Sequence, residues 1–250
     1  MRERIDPKHT RYEQRYRAVY DAGVPFATGD REDQRLACFR RFLEQQVNPG
    51  RLIDLGCGEG FPALIAAEKG YEVLGVDSAP SAIAKCQETH HHPRLTFVQA
   101  DVCELSSIPS ESFDVAVDLG CLHMLVEDDD ARRCIGHAFR VLRPGGLWYG
   151  QNLVPADDAE AWCPHERERV EWWRKRIAEP DDGTLITESF EVNGRTVEVC
   201  RPRTPAATDR TLQQQVALLT GTGFRVDSAR VVSPGVNSPF EAVVVARKLG

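Results

Sequence analysis

Apolar and polar positions along this chain follow two rhythms, and the switch between them outlines the fold. The N-terminal stretch carries Tyr12, Tyr16 and Tyr20 four residues apart, which places three rings on one helical face. "DREDQRLACFRRFLEQQV" has the amphipathic helical period and is stopped by Asn48, Pro49 and Gly50. Short apolar runs then appear at regular intervals: "RLIDLG", "YEVLGVD", "LTFVQAD", "FDVAVDLG" and the end of "RPGGLWYGQ". Between them lie "FPALIAAEKG", "SAPSAIAKCQE" and "EDDDARRCIGHAFRVL", which read as helices with an early proline, serine caps or acids at the N-terminal end. Such alternation predicts an α/β fold: a mostly parallel sheet with helices on both faces.

From residue 151 the rhythm breaks. "DDAEAWCPHERERVEWWRKRIA" is helical but interrupted by Pro164, and "ITESFEVNGRTVEVC" is two alternating runs joined by Asn193-Gly194, a hairpin signal. We read 151–205 as an inserted helix and β-hairpin, 1–30 as an N-terminal cap, and 31–150 with 206–250 as the core of a single domain. "TLQQQVALLTGTG" returns to a helix stopped by glycine. "FRVDSARVV" and "FEAVVVARK" are two final strands whose short connection requires antiparallel pairing. The expected core is a Rossmann-like, seven-stranded sheet with the last strand antiparallel.

Composition narrows the function. The 250 residues carry a formal net charge of −7, which disfavours a general nucleic-acid binder. No apolar run approaches the ~20 residues that span a bilayer, and the charged N-terminus lacks the apolar region of a signal peptide. Eight scattered cysteines without a CxxC motif suit reduced thiols in the cytoplasm. The expected partner is a small molecule rather than a nucleic acid or a membrane. The oligomeric state stays open between monomer and homodimer.

The glycine-rich turn "DLGCGEG" follows the first core strand. A dinucleotide fingerprint would need glycine at position 61, where Phe61 stands, and a P-loop would need Gly-Lys-Ser/Thr. Asp54, Gly56, Gly58 and Gly60 instead resemble the first motif of the class I S-adenosylmethionine-dependent methyltransferases. That resemblance covers about residues 50–150 and the last forty residues. It implies S-adenosylmethionine as cofactor and S-adenosylhomocysteine as product. Asp54 would hold the cofactor's ammonium group, and the glycines would let its methionyl part lie against bare backbone. Asp77 would bond the ribose hydroxyls, Asp101 and the Val102 amide the adenine, and Asp118 would stand near the methionyl part. Their neighbours Cys57, Ser78 and Leu119 complete the implied cofactor set.

His123, in "DLGCLHML", is the candidate general base, with pocket lining as its alternative role. That stretch also resembles thiopurine- and tellurite-type methyltransferases. It lacks the Asn/Asp-Pro-Pro-Tyr of enzymes that methylate amide or nucleobase nitrogens, so a small-molecule O, N or S nucleophile is favoured. Tyr16, Tyr20 and Trp162 are candidate substrate-side residues, as are Trp172, Trp173 and Phe26 in the cap and insertion, with plain helix packing as the competing role. No metal site is expected: Cys121 and His123 would have to meet Cys163 and His165, and "THHHP" reads as a solvated loop. Two other classes remain open: a nicotinamide-dependent Rossmann oxidoreductase and a non-catalytic S-adenosylmethionine-binding protein. An aminopropyltransferase lacks its expected acid after the fourth strand.

Overall fold

The computed structural model describes residues 7–24, 34–46, 48–177, 184–192, 194–203, 210–232 and 240–250. Two helices lead: α1 (Pro7–Asp21) and α2 (Gln34–Glu44). The core continues through β1 (Arg51–Leu55), α3 (Phe61–Glu68), β2 (Glu72–Asp77), α4 (Pro80–Thr89), β3 (Leu95–Gln99), β4 (Phe113–Leu119), α5 (Asp128–Val141) and β5 (Leu142–Leu153). Then come α6 (Ala156–Trp162), α7 (Arg167–Ile177) and the strands β6 (Leu185–Val192) and β7 (Arg195–Pro202). The described chain closes with α8 (Leu212–Thr222), β8 (Phe224–Val232) and β9 (Glu241–Lys248).

Seven strands form one sheet in the order β3-β2-β1-β4-β5-β9-β8. β1, β2, β3, β4 and β5 pair in parallel, and β9 inserts antiparallel between β5 and β8. The central strands are buried on both sides, which is why they read as unbroken apolar runs. One face packs Ile53, Leu55, Ala116 and Trp148 against α5 and α8 through Ile135, Ala138 and Leu219. The other packs Leu52, Val115, Val117 and Tyr149 against α2 and α3 through Phe39, Phe42 and Ile65. Phe42 and Tyr149 stand 4.7 Å apart, centroid to centroid.

Local chemistry sets the element ends. Thr211 and Gln214 form a reciprocal capping box at the start of α8, and Gly223 ends that helix at φ 110°. Pro164 splits the insertion helix into α6 and α7. The serine caps expected for α4 are absent: Ala79 is its N-cap and offers no side-chain bond. The Glu13 carboxylate on α1 takes that place, accepting from the Ser81 amide at 3.0 Å and the Ser81 hydroxyl at 2.5 Å. A carboxylate also suits the positive end of the helix dipole, which an uncharged serine would leave unanswered.

The inserted hairpin pairs β6 with β7 antiparallel, apart from the main sheet. Its apolar face lies on α1: Val199 is buried with Val19 and Val24, and Phe190, Val192 and Val197 pack around them. Arg201, itself buried, donates to Glu188 across the hairpin at 2.6 Å.

Candidate functional site

The acids expected at the strand ends gather along one edge of the sheet. Asp54 lies at the end of β1 and is paired in register with Gly75 and Val117. Asp77 ends β2, and Asp118 is the penultimate residue of β4. Asp101 stands two residues beyond β3 and accepts from the Cys103 amide at 2.8 Å. In open α/β sheets this carboxyl edge is where ligands bind.

The glycine turn is held from several sides. The Cys57 amide donates to the Val76 carbonyl at 2.9 Å, tying the turn to β2. Asp77 clamps it further: one carboxylate oxygen accepts from the Gly58 amide at 3.0 Å, the other from the Ala79 amide at 2.9 Å. Gly56 has φ 68°, and a Cβ there would stand 2.6 Å from the Cys121 sulfur, so only glycine fits between turn and loop. The Cys86 thiol donates to the Gly58 carbonyl at 3.0 Å. His90 corrects the expectation of a solvated histidine loop. Its Nε2 lies 2.7 Å from the Glu59 carbonyl and its ring is T-shaped against Phe61. The chain turns inward directly after α4, and this imidazole braces the turn. His91 and His92 line an open groove of about 590 Å³ beside it.

Asp54 is the anomaly of the site. Its carboxylate is buried, and Oδ2 has no hydrogen-bond partner. Burial, with Asp118 and Asp77 nearby, pushes its pKa up to about 8. Such a group waits for a cation or a donor. Asp118 is also buried and raised, to about 6, but its oxygens are engaged. Oδ1 accepts from the Cys121 and Leu122 amides at 2.8 and 3.1 Å, and Oδ2 accepts from the Asn152 side-chain amide at 2.8 Å. Its carboxylate therefore organises the loop after β4 as well as standing at the carboxyl edge of the sheet.

His123 sits in a single 3-10 turn, Leu122–Met124, just beyond β4. It is buried, with its amide and Nδ1 each 3.1 Å from Asn152 Oδ1. Asn152 is the residue that sequence reasoning missed. The signal was present: "QN" is a polar pair inside an otherwise apolar strand. Arg210 was missed too. It is buried and holds the segment after His123, donating to the Leu125 carbonyl at 2.6 Å, the Val126 carbonyl at 3.2 Å and Asp128 at 2.9 Å.

Tyr16 reaches the same edge. Its hydroxyl lies 3.0 Å from where a Gly58 Cβ would stand, and burial together with Asp77 and Tyr20 raises its pKa. Tyr20 packs beside it, ring centroids 5.8 Å apart, and burial with Glu59 nearby raises its pKa. Val102 is buried and Ser78 and Leu119 half-buried at the ends of β3, β2 and β4. Trp162 does not join them: it ends α6 with 56% of its surface exposed. The side chains of Trp172 and Trp173, and all of Phe26, lie outside the described residues. Among the described residues no group of three His, Cys, Asp or Glu could hold a metal ion.

Sheet order and strand-end acids define the class first: a Rossmann-like α/β domain with its acids gathered along the carboxyl edge. The family model described as a methyltransferase domain matches residues 52–146. Ribosomal protein L11 methyltransferase of Burkholderia ambifaria (strain MC40-6) is 34% identical over 101 residues, 39% of this chain and 31% of that protein. Ubiquinone biosynthesis O-methyltransferase of Pseudomonas fluorescens (strain SBW25) is 30% identical over 109 residues, 42% of this chain and 46% of that protein. The chain thus spans less than half the length of both relatives. In fold it resembles a solved S-adenosylmethionine-dependent methyltransferase of Methanosarcina mazei, with a TM-score of 0.61 and 24% identity, covering 84% of this chain and 97% of that one. Over residues 52–146 the chain matches a methyltransferase domain, and it shares its fold with S-adenosylmethionine-dependent methyltransferases.

The residues fit that cofactor. The unpartnered Asp54 oxygen suits an ammonium group. The side-chain-free turn suits a ligand lying against backbone, and the Asp77 carboxylate suits a diol. Among the described residues no helix is long and apolar enough to cross a membrane.

Proposed function

We propose that the protein methylates an O, N or S nucleophile of a small molecule, using S-adenosylmethionine. The observation that carries this is the buried Asp54 carboxylate, one oxygen unpartnered, directly under the glycine turn. When bound, the cofactor supplies a methyl group already activated by its sulfonium. The chain's own work is then to hold, orient and shield. Asp54 would neutralise the ammonium group, Gly56, Cys57, Gly58 and Gly60 would support the methionyl part, and Asp77 and Ser78 would take the ribose side. Asp101 and Val102 would border the adenine, and Asp118 and Leu119 would stand near the methionyl part.

His123 would take a proton from the acceptor as its new bond forms. The small-molecule reading is supported by the net charge of −7 and by Leu119-Gly120 where nitrogen methyltransferases carry Pro-Pro. A relative named for ubiquinone O-methylation agrees with it. The α1–hairpin unit, placed over the turn through Tyr16 and Tyr20, would serve with the inserted helices as the acceptor's cover. Its apolar rings would exclude water.

Calorimetric titration with S-adenosylmethionine, S-adenosylhomocysteine and NADH in parallel tests the cofactor. We expect micromolar binding of both adenosyl ligands and none of NADH; binding of NADH alone overturns the reading. With the cofactor established, acceptor screening in wild type and His123→Ala tests the base. The variant should keep cofactor affinity and lose turnover.

A further inference from the structure

We infer that Asn152 is a positioning residue: it holds His123 as the Nδ1–H tautomer and leaves Nε2 as the proton acceptor of the site. This deepens the proposed function and rests on it for the role of His123 as base.

The argument is one of donors and acceptors. An asparagine side chain ends in a group that only donates and a group that only accepts. Burial raises the Asp118 carboxyl to about 6, so at neutral pH it is ionised and can only accept. Its orientation is fixed from behind by the Cys121 and Leu122 amides on Oδ1. Asp118 Oδ2 lies 2.8 Å from Asn152 Nδ2, so the amide nitrogen must face the carboxylate. Asn152 Oδ1 is thereby turned toward His123, 3.1 Å from both the backbone amide and Nδ1. A carbonyl oxygen cannot donate, so Nδ1 must carry the proton. A neutral imidazole has only one, and the lone pair is left on Nε2. The Leu153 amide also donates toward Nδ1 and by itself favours the other tautomer, but at 3.5 Å it is the longer of the two contacts.

All three side chains are nearly sealed from water, at 0%, 1% and 7% exposure for Asp118, Asn152 and His123. Water therefore cannot exchange freely for any link. Imidazole side chains in water prefer the proton on Nε2, so the arrangement works against the ring's own preference.

The consequence for chemistry is a requirement on the acceptor. With a hydroxyl or thiol acceptor, oxygen or sulfur bonds the methyl carbon while its proton passes to Nε2. The broken methyl–sulfur bond leaves its electron pair on the donor sulfur, and the positive charge ends on the imidazolium. An acceptor atom with no proton would make no use of this geometry.

The test reads the ring directly and needs no acceptor. Long-range proton–nitrogen correlation spectra of the ¹⁵N-labelled protein, at about pH 8 and so above the ordinary imidazole range of roughly 6.5, report which nitrogen is protonated. His123→Gln identifies the signal. We expect wild-type His123 to show the Nδ1–H form, and both Asn152→Ala and Asn152→Ser to shift it toward Nε2–H. A wild-type ring protonated on Nε2 overturns the inference without any variant having to fold. A wild-type Nδ1–H ring that persists unchanged in the folded variants removes Asn152 from the role. Titration of the same samples with S-adenosylhomocysteine reads the cofactor assignment separately, so failure of that reading is distinguishable.

Discussion

Glu13 and Ser81 lie far apart in sequence, yet the carboxylate of one accepts both the amide and the hydroxyl of the other. The first helix thus caps the helix that follows β2. Glu13→Ala should cost about 1 kcal/mol, the usual worth of a side-chain N-cap. It should also loosen α1 over the glycine turn and weaken adenosyl-ligand binding several-fold. Thermal melts and titration of the variant check both effects, and Glu13→Gln should recover part of each.

Asp54 makes the fold sensitive to pH. Its pKa is about 8 in the folded chain against an ordinary 3.8. Between those values the folded protein holds a proton that the unfolded chain has released, so stability falls as pH rises through the window. Asp118, raised to about 6, adds to the slope over the lower half of it. We expect the melting temperature of the ligand-free protein to decline across this range, and Asp54→Asn to flatten the decline. Because a bound ammonium favours the ionised carboxylate, binding of S-adenosylhomocysteine below about pH 8 should release a proton. Calorimetry in buffers of different ionisation enthalpy detects that release, and it should vanish in Asp54→Asn.

Asp77 clamps the Gly58 and Ala79 amides, and under the proposed function it also takes the ribose side. Asp77→Ala should abolish measurable adenosyl-ligand binding while the far-ultraviolet spectrum keeps its native form. Unchanged affinity would remove the ribose assignment.

Gly60 tests how tightly the turn is built. It has φ 76°, and a Cβ there would stand 2.6 Å from the Phe97 ring. The left-handed backbone costs roughly 1–2 kcal/mol for a non-glycine residue, and the overpacking adds to it. Gly60→Ala should therefore lose roughly 2–4 kcal/mol in denaturant melts.

Arg210 should control the order of the loop that bears His123. Arg210→Lys leaves the Leu125 and Val126 carbonyls without their guanidinium donor, at a cost of roughly 2 kcal/mol or more. Amide hydrogen exchange over residues 122–126 should accelerate well beyond that of the central strands.

The sheet was legible because its strands are buried on both faces and are punctuated by glycine, proline and capping residues. The glycine turn at the carboxyl edge was legible because the spacing of Asp54, Gly56, Gly58 and Gly60 resembles a known motif. Asn152 and Arg210 were not. Their roles depend on partners distant in sequence, Asp118 and the 122–128 segment, and no local pattern announces such a meeting. The cap on α4 was misassigned for the same reason: serine beside a helix start is the local signal, whereas the acceptor came from another helix. His90 escaped because its ring is turned inward by Phe61 and the Glu59 carbonyl, not by its neighbours in the loop.

The packing of the hairpin on α1 has a consequence for the order in which the molecule is made. Val19 emerges first from a ribosome and must wait for Val199, nearly the whole chain later, before its apolar face is covered. The strands of the glycine turn and the acids at their ends come together from a much shorter stretch, and contacts of low separation form sooner. The carboxyl edge and its glycine turn can therefore assemble on the nascent chain, with α1 already docked through Glu13 and Ser81, while the Val19 face of that helix stays uncovered until residues 185–202 arrive. A chain arrested before that point should be a protein with a formed glycine turn and one apolar helix face left open to water.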